Sequence, residues 1–223
     1  MKKLFAITIS ILFSNLIFAQ EPTSIQPKFS TYYYQKKELF EILPDTKNEI
    51  IFLGNSITDG CEWGELFKNK DIKNRGISGD ITDGVLFRLD EVTRSKPDKI
   101  FIMIGVNDLS RNKSPDYILT NYSKILQTIK ENTPDTYIYI QSILPVNDQF
   151  GKFGNHTNKT EEINQVNKGL VRLARNFGCT FIDLTEAFTD SFGRLNEEYT
   201  NDGLHLTAKG YLAWKDEINK FVK

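Results

Sequence analysis

The chain predicts an open α/β sheet of parallel strands covered by helices, and three observations carry that prediction. Short apolar runs alternate with longer amphipathic ones along most of its 223 residues. Those runs are rich in Ile, Phe and Tyr, and several lack strict alternation, as strands buried on both faces do. The segments between them carry helix start and stop signals.

The strand candidates are residues 49–53 (EIIFL), 72–74 (IKN), 99–104 (KIFIMI), 136–143 (TYIYIQSI) and 180–184 (TFIDL). A first helix is expected over about 30–42, where Tyr32, Tyr33 and Tyr34 belong to one face and its neighbours, and another over 82–94. Ser114-Pro115-Asp116 supplies a cap, a proline at the first helical position and an acidic first turn, followed by Ile118, Tyr122, Ile125 and Ile129 on one stripe. Asn158 with Glu161 resembles a capping box ahead of Ile163, Val166, Leu170, Leu173 and Phe177, and Gly178 ends that helix. Thr207 caps a last helix with Tyr211, Trp214, Ile218 and Phe221 inward. The longest irregular stretch, 145–157 (PVNDQFGKFGNHT), is either a substrate-contacting loop or a plain surface excursion.

Composition narrows the function classes. At 39% hydrophobic and 26% charged residues, the chain reads as a folded single domain that needs no metal or disulfide to hold a core. Its 28 basic and 29 acidic residues leave no basic surplus, so no nucleic-acid partner is expected. Residues 1–19 read as a secretory signal peptide: Lys2 and Lys3, an apolar run from Leu4 to Phe18, then Ala19 as the small residue before the cut. The run falls short of the roughly 20 residues a spanning helix needs. Gln20 rather than Cys follows it, so no lipid anchor is indicated. The mature domain, 20–223, is therefore expected outside the cytoplasm, periplasmic or extracellular, with no membrane anchor after cleavage. Cys61 and Cys179 fall at opposite edges of a parallel sheet, too far apart to bridge, and read as free structural thiols.

Ligands of open α/β sheets bind beyond the carboxyl ends of the strands. Reading just past each strand gives Gly54-Asn55-Ser56-Ile57-Thr58-Asp59-Gly60, Arg75-Gly76-Ile77-Ser78-Gly79-Asp80 and Gly105-Val106-Asn107-Asp108. Nearer the C-terminus stands Asn201-Asp202-Gly203-Leu204-His205-Leu206-Thr207. Each block alone has a bland reading: a Ser capping a helix, a turn glycine, a turn Asn. Histidine scarcity sharpens the pattern, because the chain has only His156 and His205. His156 lies in the polar loop and reads as solvated. His205 has Asp202 three residues before it, within reach of Nδ1–H, which would fix the tautomer and leave Nε2 to accept a proton. A serine hydroxyl needs such a base, and the oxyanion formed by attack on a carbonyl needs waiting donors. The N–H groups of Ser56 and Gly79 and the side-chain amide of Asn107 are the candidates.

These four ordered blocks resemble the SGNH hydrolase superfamily, also called the GDSL esterases and lipases, whose compact acetylesterase and acetylhydrolase members are the nearest in spacing. The defining Ser, Gly, Asn and His fall on Ser56, Gly79, Asn107 and His205, and the triad Asp on Asp202. Asn55 stands where the family's usual Asp precedes the nucleophile, and Ile57 replaces the usual Leu. The resemblance implies a three-layer flavodoxin-like fold with five parallel strands in order 2-1-3-4-5. It also implies cofactor-free, metal-independent ester hydrolysis through an acyl-enzyme.

For the substrate, the residues expected at the mouth are Asp59, Trp63, Asp108, Leu109, Val146, Asn147, Asp148 and Asp202. Asp59, Trp63, Asp108 and Asn147 are the candidate substrate contacts. This polar set with one aromatic suits a short acyl group on a carbohydrate better than a long chain. A lysophospholipase- or lipase-type acyl hydrolase and a silent carbohydrate-binding member are the alternatives. A nucleotide-binding reading lacks a phosphate-cradling glycine loop after the first strand, and a metal hydrolase would need more ligands than two distant histidines suggest.

Overall fold

The computed structural model describes residues 28–223; the candidate signal segment 1–19 lies outside the described residues. The chain runs α1 (Thr31–Ile42), β1 (Ile50–Gly54), α2 (Ser56–Asp59), α3 (Trp63–Phe67), β2 (Ile72–Gly76), α4 (Thr82–Phe87) and α5 (Leu89–Thr93). It continues through β3 (Lys99–Met103), α6 (Val106–Ser110), α7 (Pro115–Asn132) and β4 (Tyr137–Gln141). A 3-10 turn (Asp148–Phe150), α8 (Gly154–Thr157), α9 (Thr160–Phe177), β5 (Thr180–Ile182), α10 (Thr185–Phe188) and α11 (Ala208–Val222) complete it.

All five strands pair in parallel, in the order β2-β1-β3-β4-β5, as expected. Alternation sorts their side chains onto two faces. On one face Phe52, Phe101 and Tyr139 sit in register on neighbouring strands, with ring centroids 4.9 and 4.5 Å apart. Trp63 stacks on Phe52 at 4.3 Å, and Trp214 meets Trp63 edge-on at 4.8 Å, so α3 and α11 seal this face. Ile51, Leu53, Ile100, Ile102, Ile138 and Ile140 point the other way and are buried in the same core as the inward stripes of α7 and α9. α7 and α9 lie side by side, with α4 and α5 against α7. β1 steps outward to β2 before the chain crosses to β3, and that reversal opens a crevice at the carboxyl ends of these strands.

Local signals act as expected at several ends. Ser30 caps α1 by accepting from Tyr33 N–H, Ser114 caps α7 with Pro115 behind it, and Gly178 closes α9 in the left-handed region at φ +61°. Cys61 and Cys179 are free, the first buried. Three expectations need correction. The 82–94 segment is two helices, broken at Arg88 (φ −120°, ψ 17°), whose fully buried guanidinium donates to the Gly54 and Arg75 carbonyls, Asp80 and Glu91. The Asn158–Glu161 capping box does not form: the capping position of α9 falls one residue later, on Lys159, which makes no side-chain cap. Thr207 precedes α11, but its hydroxyl donates to the Glu198 carbonyl and leaves the helix uncapped. Inward on α11 are Trp214, Ile218 and Val222, with Tyr211 and Phe221 half-buried.

Candidate active site

β1 ends on Gly54, where a Cβ would strike Thr58 Oγ1 and come 2.6 Å from the Met103 carbonyl; only glycine lets the next turn close this tightly. Asn55 caps α2 by accepting from Ile57 N–H. The Asn in place of the family's Asp therefore still supplies an oxygen to the turn. Ser56 is the first residue of α2, so its N–H has no acceptor within the helix. After β2, Gly79 adopts φ +80°, and among the described residues its N–H has no backbone acceptor. Its carbonyl is held by Arg111 at 2.9 Å.

His205 arrives from the loop before α11. Its Nε2 lies 3.0 Å from Ser56 Oγ and its Nδ1 lies 2.8 Å from Asp202 Oδ2. Asp202 Oδ1 accepts from the backbone N–H groups of Leu204 and His205 at 2.9 and 2.8 Å. Burial pushes the Asp202 carboxyl up, but these hydrogen bonds and the His205 charge together hold it below its ordinary value of 3.8. An ionised Asp202 fixes Nδ1 as the protonated nitrogen, which leaves Nε2 to accept from the serine hydroxyl.

Asn107, on α6, is 6% exposed. Its Nδ2 donates to the Asp80 carbonyl at 2.8 Å, and its Oδ1 lies 3.0 Å from His156 Nε2. An amide nitrogen has two donors, so one N–H of Asn107 remains beyond the Asp80 bond. Ser56, Ser78, Gly79, Asn107, Phe153 and His205 are among the residues lining a cleft of about 380 Å³. The structure thus brings Ser56, Gly79, Asn107, Asp202 and His205 together. The arrangement can take the proton of a hydroxyl as it adds to a carbonyl, and face the oxyanion formed on the carbonyl oxygen with up to three N–H donors.

The four candidate substrate contacts lie elsewhere. Trp63 is 1% exposed in the aromatic core and donates to the Thr58 carbonyl. Asp108 is fully buried and accepts from Thr82 N–H and Oγ1. Asn147 is buried, donating to the Leu195 carbonyl and capping the 3-10 turn. Asp59 is taken up by Ser78, Tyr32 and Lys36, and so braces α2 against the Gly79 loop. Of the other mouth candidates, Leu109 and Val146 belong to the core, and Asp148 opens the 3-10 turn on the surface.

The aromatic at the cleft is instead Phe153, 45% exposed, whose ring stands edge-on to His205 at 5.1 Å. His156 is half-buried in the cleft wall, which corrects its reading as solvated. Both come from the 145–157 loop. A phenylalanine set in a polar, glycine-flanked stretch (GKFGNH) is the one sequence signal that points there. Arg111 also borders a second groove of about 640 Å³, walled by Phe29, Leu86, Phe87, Lys113 and Tyr117 among others.

Known proteins resemble this chain in sequence and in fold. The model of the GDSL-like Lipase/Acylhydrolase family matches residues 52–213. The chain is 30% identical over 175 residues to the platelet-activating factor acetylhydrolase IB subunit alpha1 of Homo sapiens, covering 75% of this chain and 72% of that protein. It is also 30% identical over 185 residues to an N-acylneuraminate cytidylyltransferase from Escherichia coli, covering 80% of this chain and 41% of that one. A solved structure described as a platelet activating factor from Streptococcus pneumonia superposes with a TM-score of 0.77 at 32% identity, over 86% of this chain and 91% of the other. The chain belongs to the GDSL-like lipase/acylhydrolase family and is a carboxylic ester hydrolase.

Proposed function

We propose that the protein is an exported serine esterase that removes short acyl groups, acetyl above all, from a carbohydrate. The observation that carries the reaction is the unbroken line Ser56 Oγ–His205 Nε2–His205 Nδ1–Asp202 Oδ2, at 3.0 and 2.8 Å, beside the Ser56 and Gly79 N–H groups, which have no backbone acceptor among the described residues, and the second N–H of Asn107. Ser56 attacks the ester carbonyl as its proton passes to His205 Nε2. The imidazolium is held by Asp202, and the oxyanion faces Ser56 N–H, Gly79 N–H and Asn107 Nδ2. His205 then gives that proton to the leaving alcohol. Water, activated by the neutral imidazole, releases the acid from Ser56.

Three features support a short acyl group on a sugar. Most of the side chains that line the cleft over Ser56 are polar, with Phe153 and Leu204 as its apolar part. Phe153 offers a partly exposed aromatic ring beside His205, a group on which a sugar can stack. Among the relatives, one is named for acetyl hydrolysis and one for an acylated sugar acid. Export rests on the N-terminal sequence alone.

A lipase-type reading has its own observation, the apolar wall of Phe29, Ile81, Leu86 and Phe87 beyond Arg111, which could hold a longer chain. Rates across acetyl to long-chain nitrophenyl esters, with Ser56→Ala alongside, decide between the two. Fast acetate cleavage that falls with chain length supports the short-acyl esterase. A rise with chain length favours the lipase-type reading, and turnover surviving in Ser56→Ala overturns both.

A further inference from the structure

Asn107 faces a problem of orientation. A primary amide turned by half a rotation exchanges a donor for an acceptor, and only one of the two orientations helps an oxyanion. The Asp80 carbonyl, 2.8 Å away, decides between them, because an oxygen cannot face an oxygen there. Oδ1 must then face His156, whose Nε2 stands 3.0 Å off. An imidazole nitrogen meets a carbonyl-type oxygen only as a donor, so the proton of neutral His156 sits on Nε2.

We propose that His156 is a positioning residue of the oxyanion hole: its Nε2–H grips Asn107 Oδ1, so that the amide is held from both ends and its second N–H is fixed toward the space above Ser56. The inference rests on the reading of Asn107 as an oxyanion donor. The part of the chain that delivers His156 is itself tightly tied. α8 packs against α6, which carries Asn107. The turn is closed by His156 N–H and Thr157 N–H to the Phe153 carbonyl at 2.7 and 3.0 Å, and by the Thr157 hydroxyl to the carbonyls of Lys152 and Phe153. Phe153 enters it at φ 52°, a left-handed conformation that a phenylalanine holds only where its surroundings enforce it. One strained turn therefore sets two side chains at the cleft, Phe153 against His205 and His156 against Asn107.

The charge state suits the task. Burial, seconded by the nearby His205 and Arg111 charges, lowers the pKa of His156 from its ordinary 6.5. A neutral His156 adds no positive charge beside His205 when that ring takes up the serine proton. Donation to Asn107 asks only for the N–H.

The test is steady-state kinetics on nitrophenyl acetate with native protein, His156→Ala, His156→Gln, Asn107→Ala and the His156→Ala/Asn107→Ala double variant. An oxyanion donor acts in the transition state, so the effect should fall on kcat with KM little changed. Complete loss of such a donor lowers kcat by about 10²–10³; loosening it should lower kcat in His156→Ala by about tenfold or somewhat more. Gln can place an amide N–H near the former Nε2 and should recover most of the rate. On an Asn107→Ala background, removing His156 should change nothing further. A His156→Ala enzyme with native kcat would overturn the proposal. So would a change confined to KM, or an equal loss in the presence and absence of Asn107. If native turnover does not depend on Ser56, the esterase reading fails first, and the Ser56→Ala control shows it.

Discussion

Asp202 holds His205 twice: Oδ1 accepts the backbone N–H of His205 at 2.8 Å, and Oδ2 faces ring Nδ1 at 2.8 Å. One carboxylate thus fixes both where the histidine sits and which nitrogen carries its proton. The substitution Asp202→Asn separates the two roles. The new amide oxygen can still accept from the backbone, but its NH₂ would face Nδ1 and force the proton to Nε2, where it cannot take one from Ser56. This variant should retain its fold and near-native KM while kcat falls by about 10⁴. Circular dichroism beside initial rates checks this, and a rate within about tenfold of native would remove Asp202 from the proton path.

In the proposed mechanism Ser56 and His205 act as one unit. Either alanine substitution should lower kcat by about 10⁴–10⁶, and the double variant should be little slower than the single ones. Asn107→Ala should be milder, about 10²–10³. Multiplicative losses for Ser56 and His205 would mean that the 3.0 Å contact between them is not the working one.

Arg88 should matter for folding. Its guanidinium, with no exposed surface, joins Asp80 and Glu91 to the Gly54 and Arg75 carbonyls, and Arg75 returns to Glu91 at 3.1 Å. Removing the guanidinium leaves buried Asp80 without its cation and Glu91 with Arg75 alone, so Arg88→Ala should lose about 3–5 kcal/mol in urea unfolding. A loss below about 1 kcal/mol would show that water or Arg75 takes over its role.

Acid should act through Asp108. Burial raises its carboxyl from the ordinary 3.8 to about 6, against the pull of the Thr82 hydroxyl and N–H. The folded value lies above the unfolded one, so the native state keeps a proton that the unfolded chain has released. This contribution is complete below about pH 4 and is lost as pH rises through about 6, with a slope of up to about 1.4 kcal/mol per pH unit. Asp108→Asn carries no such proton. Its stability relative to native should therefore rise between about pH 4.5 and 6.5 in paired urea titrations; parallel curves would contradict the assignment.

Much of the sheet is legible in the sequence because its strands are buried on both faces and therefore spell near-continuous apolar runs. The blocks after β1, β2 and β3 are legible for a different reason: the switch point brings the carboxyl ends of those strands together, so position along the chain already implies proximity. Where side chains go inside the fold is harder to read. Trp63 stands close in sequence to Ser56, yet it opens a separate helix, α3, and packs on Phe52 and Trp214. Asp108 follows Asn107 directly but is turned about 100° around α6, out of the cleft and against Thr82. His156 reads as solvated because a loop gives no periodicity from which to infer burial. Only the packing of α8 on α6 reveals that its ring meets Asn107. The break at Arg88 is hidden too, since a helical pattern in sequence does not show a guanidinium bound to separate segments of the chain.

The proposed mechanism stands on Ser56 as the nucleophile. Treating the native protein with a fluorophosphonate and mapping the adduct by peptide mass spectrometry tests it directly. The expected result is one modification, on Ser56, that blocks ester hydrolysis and slows sharply in His205→Ala. An adduct on another residue with activity lost, or full activity with Ser56 modified, would contradict it.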